Sequence, residues 1–178
     1  MALPHAILTA LLDQELTGYE LAKQFDVSLG FFWQASHQQI YQQLKSLTEK
    51  AMISATEVSQ SGKPDKKRYA MTDLGRGYLR DWVLGETSPR KPAKDDLLVK
   101  LYNLDTVKRA ELASAIQERL LEHEQKLALY RKIQTRGYKN PETLGDSRLG
   151  MYLALLAGIH QEQASIDWCH ESLEMLIQ

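Results

Sequence analysis

Residues 35–53 read ASHQQIYQQLKSLTEKAMI. Wound at about 100° per residue, Ile40, Leu44 and Leu47 fall on one narrow stripe. Gln38, Gln42 and Lys45 fall on the opposite side, with Gln39 and Ser46 beside them. Ser36 stands where an N-cap is needed, because its hydroxyl can accept from the free N–H groups of a first turn. One face is therefore made for a core. The other is amide-rich and weakly basic, with Glu49 as its only acid. In a major groove Gln pairs with adenine and Lys reaches guanine, so the stretch predicts the recognition helix of a DNA-binding domain. Taken alone it fits a Gln-rich surface helix equally well.

The flanks shift that balance. Residues 53–59, ISATEVS, are β-branched and roughly alternating, which predicts a strand. Residues 60–66, QSGKPDK, hold Gly62 and Pro64 and read as a turn, and residues 67–71, KRYAM, give a second strand. A β-hairpin directly after a helix-turn-helix is the layout of a winged helix. Between Gln60 and Tyr69 the bases Lys63, Lys66, Lys67 and Arg68 outnumber the single acid Asp65, for a local net charge of +3. A basic hairpin of this kind would hold phosphates and reach toward the minor groove. A solvated charged loop is the plainer alternative.

On the N-terminal side, residues 3–12 predict a helix with Leu3, Ile7, Leu8, Leu11 and Leu12 inward and Pro4 in its first turn. Thr17 caps a short second helix through Phe25, its apolar face being Tyr19, Leu21, Ala22 and Phe25. Beyond Gly30, the cluster Phe31, Phe32 and Trp33 cannot all face one side of a helix; core and hinge packing is favoured over a dimer or effector contact. After the hairpin, Thr72 caps TDLGRGYLRDWVL, with Leu74, Tyr78, Leu79 and Trp82 on one side and Trp82 as a core anchor.

Residues 86–93, with Pro89 and Pro92, are the linker candidate. They separate an expected winged-helix domain (1–85) from an expected helical domain (94–178). The second half is helical in pattern throughout. A short helix covers Asp95 to Leu104, and a long one capped by Asp105 or Thr106 runs to about Gln134. A loop follows at 137–147, and a last long helix extends from about Arg148 to Ile177. Leu112, Ile116, Leu120, Leu127 and Tyr130, with His123, form the stripe of the first long helix. Tyr152, Leu156, Ile159, Ile166, Leu173 and Ile177 form that of the second. Two such helices form an antiparallel pair too shallow to bury both apolar faces. The simplest cover is a second copy of the chain, so Leu112, Ile116, Leu120, Leu127, Tyr152, Leu156, Ile159, Ile166 and Leu173 are the expected dimerisation residues. Two recognition helices about 34–36 Å apart would read a palindrome.

A net charge of −1 means that any DNA-binding charge must be local. The lone Cys169 excludes an internal disulfide framework or a Cys-rich zinc site and fits a reducing cytoplasm. The apolar start lacks a preceding base and a small-x-small cleavage site, so no signal peptide is expected, and MYLALLAGI is too short to span a bilayer. His5, His37, His123, His160 and His170 show no HExxH or Cys/His metal spacing, no nucleophile elbow is present, and GKPDKK lacks the first glycine of a Walker loop. Neither catalysis nor a metal or cofactor is expected, and no membrane partner.

The order Gly18-Tyr19-Glu20-Leu21, then Gln39-Ile40-Tyr41 with Leu44 and Leu47, then Gly62-Lys63-Pro64 leading into Lys67-Arg68-Tyr69, Thr72, Gly75-Arg76, Leu79 and Trp82 resembles the PadR family of bacterial transcriptional regulators. Leu3-Pro4-His5, Phe32-Trp33, Ala35 to Gln39, and Gly62 to Asp65 are similar to a subgroup of activators typified by the virulence-gene regulator of Vibrio. The resemblance implies an N-terminal winged helix and a C-terminal antiparallel helical domain that dimerises by swapping or crossing arms. It also implies a mainly α fold with a small hairpin wing.

For base readout the candidates are Ser36, His37, Gln38, Gln39 and Gln42. Tyr41 and Lys45 are candidates for phosphate, and Lys63, Lys66, Lys67 and Arg68 for backbone or minor-groove contacts. Some relatives in the family bind flat aromatic molecules or phenolic acids, which makes Trp33, Trp82 and Trp168, with Tyr130, candidate effector-lining residues; core and interface anchoring is the favoured alternative. The leading expectation is a homodimeric, sequence-specific regulator with duplex DNA, a second copy, an aromatic effector and a second transcription factor at the promoter as partners. An aromatic small-molecule sensor whose ligand releases DNA, and a helical protein–protein adaptor that has kept the winged helix, remain as alternatives.

Overall fold

The structure, a computed structural model, describes residues 3–27, 35–58, 66–87 and 94–177. The aromatic cluster 31–33 with Gly30, the hairpin tip with Gly62, Lys63, Pro64 and Asp65, and linker residues 88–93 lie outside the described residues. The chain divides into two compact units, residues 1–89 and 90–178.

In the first unit α1 (Leu3–Ala10), β1 (Leu16–Thr17), α2 (Gly18–Val27), α3 (His37–Glu49), β2 (Ile53–Val58), β3 (Lys66–Met71) and α4 (Asp73–Leu84) follow in order. The sheet is antiparallel with order β1-β3-β2. Ile7, Leu8, Leu11, Leu21, Ala22, Phe25, Ile40, Leu44, Leu47, Ile53 and Leu79 close one core. Burying aliphatic side chains of this size contributes roughly 1.5–3 kcal/mol each, so the stripe of α3 is what fixes that helix against α1 and α2.

Several expectations need correction. α1 stops at Ala10, where Leu11 N–H turns back to Ile7 and Leu8 carbonyls, and Leu12 is left half-exposed. Tyr19 is exposed, because Leu21, Ala22 and Phe25 complete the buried face of α2 without it. β1 was not anticipated; a two-residue strand carries no periodicity to read. In α4 only Gly75 and Leu79 are buried, while Leu74, Val83 and Leu84 are exposed. Trp82, expected as a core anchor, is 48% exposed and stacks on buried His5 at 4.3 Å between ring centroids. Gly75 explains how α4 is seated: a Cβ there would stand 2.1 Å from the Met52 carbonyl oxygen, so only glycine lets α4 lie against the root of β2. Thr72 fastens the same junction, its hydroxyl donating to the Ala51 carbonyl at 2.7 Å and accepting from Gly75 N–H.

In the second unit α5 (Asp96–Leu101), α6 (Arg109–Gly137) and α7 (Asp146–Ile177) are joined by 3-10 turns at Leu104–Thr106 and Pro141–Thr143. α5 is shorter than expected, and Asp105 and Thr106 belong to the 3-10 turn instead of capping α6, which starts after Lys108. Asp95 caps α5 through Leu97 N–H and also takes both guanidinium nitrogens of Arg119 at 2.5 and 2.8 Å, clamping α5 to α6. The guanidinium holds the Asp95 carboxyl below the usual carboxylate range.

α6 and α7 lie antiparallel. Ile116 and Cys169 pack together in the cluster near α5, Tyr130 lies over Gly158, and Gln134 donates to the Tyr152 hydroxyl nearer the connecting turn. His123 contacts Glu162 within this seam, where Glu162 is nearly inaccessible to water.

Candidate nucleic-acid interface

α3 is fixed at both ends by its own sequence. At the start, the Ser36 hydroxyl accepts from Gln39 N–H at 3.2 Å, and the Gln39 side-chain oxygen accepts from Ser36 N–H at 2.9 Å. This reciprocal capping box satisfies two otherwise open donors. Ser36 and Gln39, both expected to read bases, are the two residues of this box. At the end, Ala51 N–H donates to Thr48 and Met52 N–H to Leu47, the pattern in which a left-handed residue closes a helix. That residue is Ala51, with φ of 54°.

Between the caps, Ile40, Leu44 and Leu47 are fully buried. Gln38, Gln42, Lys45 and Glu49 recur at three- and four-residue steps and are all exposed, so they line one outward ridge. His37 is exposed as well, at the first helical position. Tyr41 flanks the ridge. It is 48% exposed, and its ring lies across the start of α2, where a Cβ on Gly18 would meet it at 2.5 Å. Gly18 thus makes room for Tyr41.

The wing presents its cations differently from the simple count. β2 and β3 pair from Ile53↔Met71 to Val58↔Lys66, and Thr17 of β1 lies beside Arg68. Beyond Ile53, every β2 residue is exposed, so the hairpin projects from the core. Side chains alternate along a strand. Lys66 and Arg68 therefore share one face, and Lys67 lies on the other with buried Tyr69. Lys67 faces Glu57 across the strands with Nζ 3.8 Å from the carboxylate. On the opposite face, the Glu20 carboxylate accepts from Thr17 N–H and hydroxyl at 2.8 Å each. Those hydrogen bonds first, then the positive fields of Arg68 and Lys66, hold it below the usual range. On α3, Lys45 Nζ lies 3.9 Å from Glu49. Sequence reasoning gave Glu20 and Glu57 no role; both face their cations only after the sheet register is known. Glu49 was visible four residues after Lys45, the spacing of a helical ion pair.

The remaining candidates are divided between the two units or fall outside the described residues. Trp33 and Lys63 are outside the described residues. Trp82 belongs to the first unit with His5 and Tyr78, whose rings stack on one another at 4.9 Å. His5 Nδ1 is buried with no hydrogen-bond partner among the described residues, and burial holds its imidazole below the ordinary range. Trp168 belongs to the second unit, packed beside Leu112, Ile116 and Cys169. Burial pushes the Cys169 thiol up, away from reactivity. Among the described residues no group of His, Cys, Asp or Glu is placed to hold a metal ion, and no helix is long and apolar enough to cross a membrane.

The expected dimerisation residues lie largely inside the chain's own helix pair. Leu112, Ile116, Leu127, Ile159, Ile166 and Leu173 are buried by the chain's own α6–α7 packing, and Leu120, Tyr152 and Leu156 are partly so. A 3.6-residue stripe marks the side that packs first, which here is the internal seam. The large exposed apolar side chains of these helices are Leu121, Leu129, Leu149, Met151 and Leu153, with Met175 and Ile177, a stripe residue by expectation, at the end.

Comparison with known proteins gives two family matches. Residues 7–81 match the transcriptional regulator PadR-like family, and residues 93–176 match the virulence activator alpha C-terminal domain. The chain is 40% identical to the probable transcriptional regulator Rv1176c of Mycobacterium tuberculosis over 185 residues, covering 99% of this chain and 98% of that one. Among solved structures, Bacillus subtilis PadR in complex with operator DNA superposes with a TM-score of 0.86 at 30% identity over 99% of both chains. The same Bacillus protein in complex with p-coumaric acid gives a TM-score of 0.81 at 29% identity over 100% of both. The Vibrio cholerae virulence activator AphA gives 0.78 at 31% identity, covering 98% of this chain and 97% of that one.

Proposed function

The chain belongs to the PadR-like family of transcriptional regulators, and from that premise we propose that it is a cytoplasmic, sequence-specific DNA-binding regulator acting as a homodimer on a palindromic operator. The family's work is control of transcription, not catalysis. One observation carries the reading: α3 is capped at both ends, seated on the core by Ile40, Leu44 and Leu47, and turns Gln38, Gln42 and Lys45 outward beside a projecting basic hairpin. Amides on a rigid helix supply paired donor and acceptor groups for base edges. Lys66 and Arg68 supply sequence-independent attraction to phosphate. The structure of a relative at 30% identity on operator DNA supports this assignment. The domain division belongs to the same reading: a winged helix over residues 1–85, a linker over 86–93 and a helical dimerisation domain over 94–178. A homodimer draws support from the apolar side chains that the α6–α7 pair leaves outside, Leu121, Leu129, Leu149, Met151 and Leu153.

The test is selection of bound duplexes from a random pool. The reading expects an enriched inverted repeat whose half-sites are centred about one helical turn apart, near 10 base pairs. Recovery of unenriched sequence would contradict it.

A second element, an aromatic effector, is favoured by the half-exposed Trp82 stacked on His5 and by the relative solved with p-coumaric acid. Titration with a phenolic acid is expected to quench tryptophan emission and weaken operator binding together. Quenching without release of DNA would remove the effector role.

A further inference from the structure

We propose that Glu49 and Glu57, supported by Glu20, are working parts of the DNA-facing surface: they hold down its affinity for DNA of any sequence by competing with phosphate for the surface's own cations. The inference rests on the DNA-binding reading above.

The described residues of α3 and β3 carry four cations, Lys45, Lys66, Lys67 and Arg68. Two of them, Lys45 and Lys67, have a carboxylate beside them, at 3.9 and 3.8 Å. Glu49 lies one turn after Lys45 on the ridge that also carries Gln38 and Gln42, and Glu57 stands opposite Lys67 in the hairpin register. Glu20 lies within the field of Arg68 and Lys66, its orientation fixed by the Thr17 backbone and hydroxyl. The Lys45–Glu49 and Lys67–Glu57 pairs are 59–80% exposed in their side chains. Pairs that wet contribute little to folding, so these acids are not explained as structural ties. Their consequence falls on binding. Sequence-independent affinity scales with the number of phosphates that Lys and Arg neutralise. A lysine already beside a carboxylate must exchange it for phosphate, and the displaced acid then stands near the polyanion. Base-edge contacts from Gln38 and Gln42 carry no such cost.

Glu20 also caps α2, so the test uses the other two. The variants Glu49→Gln and Glu57→Gln keep side-chain size and remove only charge, and Glu118→Gln, an exposed acid of the second unit, makes the same change in net charge far along the chain from α3 and β3. Anisotropy on a scrambled duplex is measured for all three and for the parent over a salt series. Glu49→Gln and Glu57→Gln are expected each to tighten scrambled-duplex binding by about fivefold or less, the size of a solvated ion pair. Each is also expected to steepen the slope of log K against log salt by about 0.9, one added phosphate contact, while Glu118→Gln leaves both unchanged. Equal behaviour of all three variants, or no change in any, overturns the inference while leaving DNA binding in place. Failure of the parent to bind any duplex at low salt overturns the DNA-binding reading, and this inference with it.

Discussion

Ala51 holds a conformation that suits glycine. Its φ of 54° places it in the left-handed region, where a Cβ crowds the backbone at a cost of about 1 kcal/mol. The position closes α3 and leads directly into β2, so the strain is kept where helix and wing meet. Ala51→Gly is expected to raise unfolding free energy by up to about 1 kcal/mol, read as a higher urea midpoint with an unchanged slope. The contact between His123 and Glu162 is a second residue-level commitment. Glu162 is buried in the α6–α7 seam with Tyr130 nearby, and its charge pushes the Tyr130 phenol up after burial has already done so. His123→Ala leaves that carboxylate without its imidazole and is expected to cost roughly 3 kcal/mol or more. The double change His123→Leu with Glu162→Met removes both polar groups and is expected to recover most of the loss, measured by chemical denaturation. A double variant no more stable than His123→Ala would show that shape, not the pair, holds the seam.

α3 divides into residues that hold its start and residues that face outward. Ser36→Ala is expected to cost about 1 kcal/mol of stability through loss of the cap, and Gln39→Ala to lower stability through the same box. In neither is the pattern of preferred bases expected to change. Gln38→Ala and Gln42→Ala are expected to leave stability within about 0.5 kcal/mol, as for exposed sites, while broadening the set of selected sequences. Lys66→Ala is expected to weaken all duplexes alike. A changed base preference in Gln39→Ala, or an unchanged one in Gln42→Ala, would reverse these roles. Much of this element was legible in the sequence. The stripe Ile40, Leu44, Leu47 has helical period, and Ser36 with Gln39 three residues on is a local signal. What the sequence did not disclose was that Gln39 would turn back to Ser36 while Gln38 and Gln42 faced outward. The wing was legible as a hairpin, but its register was not, because the exposed strands carry no buried alternation to fix it. Glu57 beside Lys67 and Thr17 beside Arg68 emerge only from that register.

At the scale of the molecule, two units with separate cores follow from two kinds of sequence: short mixed elements before residue 89 and long helical periods after it. The helical period of α6 and α7 was plain in the sequence. Which apolar residues serve the chain's own seam was not, since a stripe shows the face but not what covers it. A homodimer is therefore expected to respond to the outward residues. Leu153→Glu is expected to shift sedimentation toward monomer with helical circular dichroism retained, whereas Ile116→Glu, in the seam, is expected to lose helical signal. Retention of a dimer by Leu153→Glu and by Leu129→Glu would place the interface elsewhere.

The central claim is sequence-specific binding through α3 and the wing. Its most direct test is fluorescence anisotropy of the intact protein on the duplex upstream of its own gene and on a scrambled duplex of equal composition, over a salt series. The account predicts binding to the native duplex at least about a thousandfold tighter, the lower end of specific recognition, with log K falling steeply with log salt as several phosphate contacts per dimer require. Equal, weak binding to both duplexes at low salt, with no steep salt dependence, would contradict it.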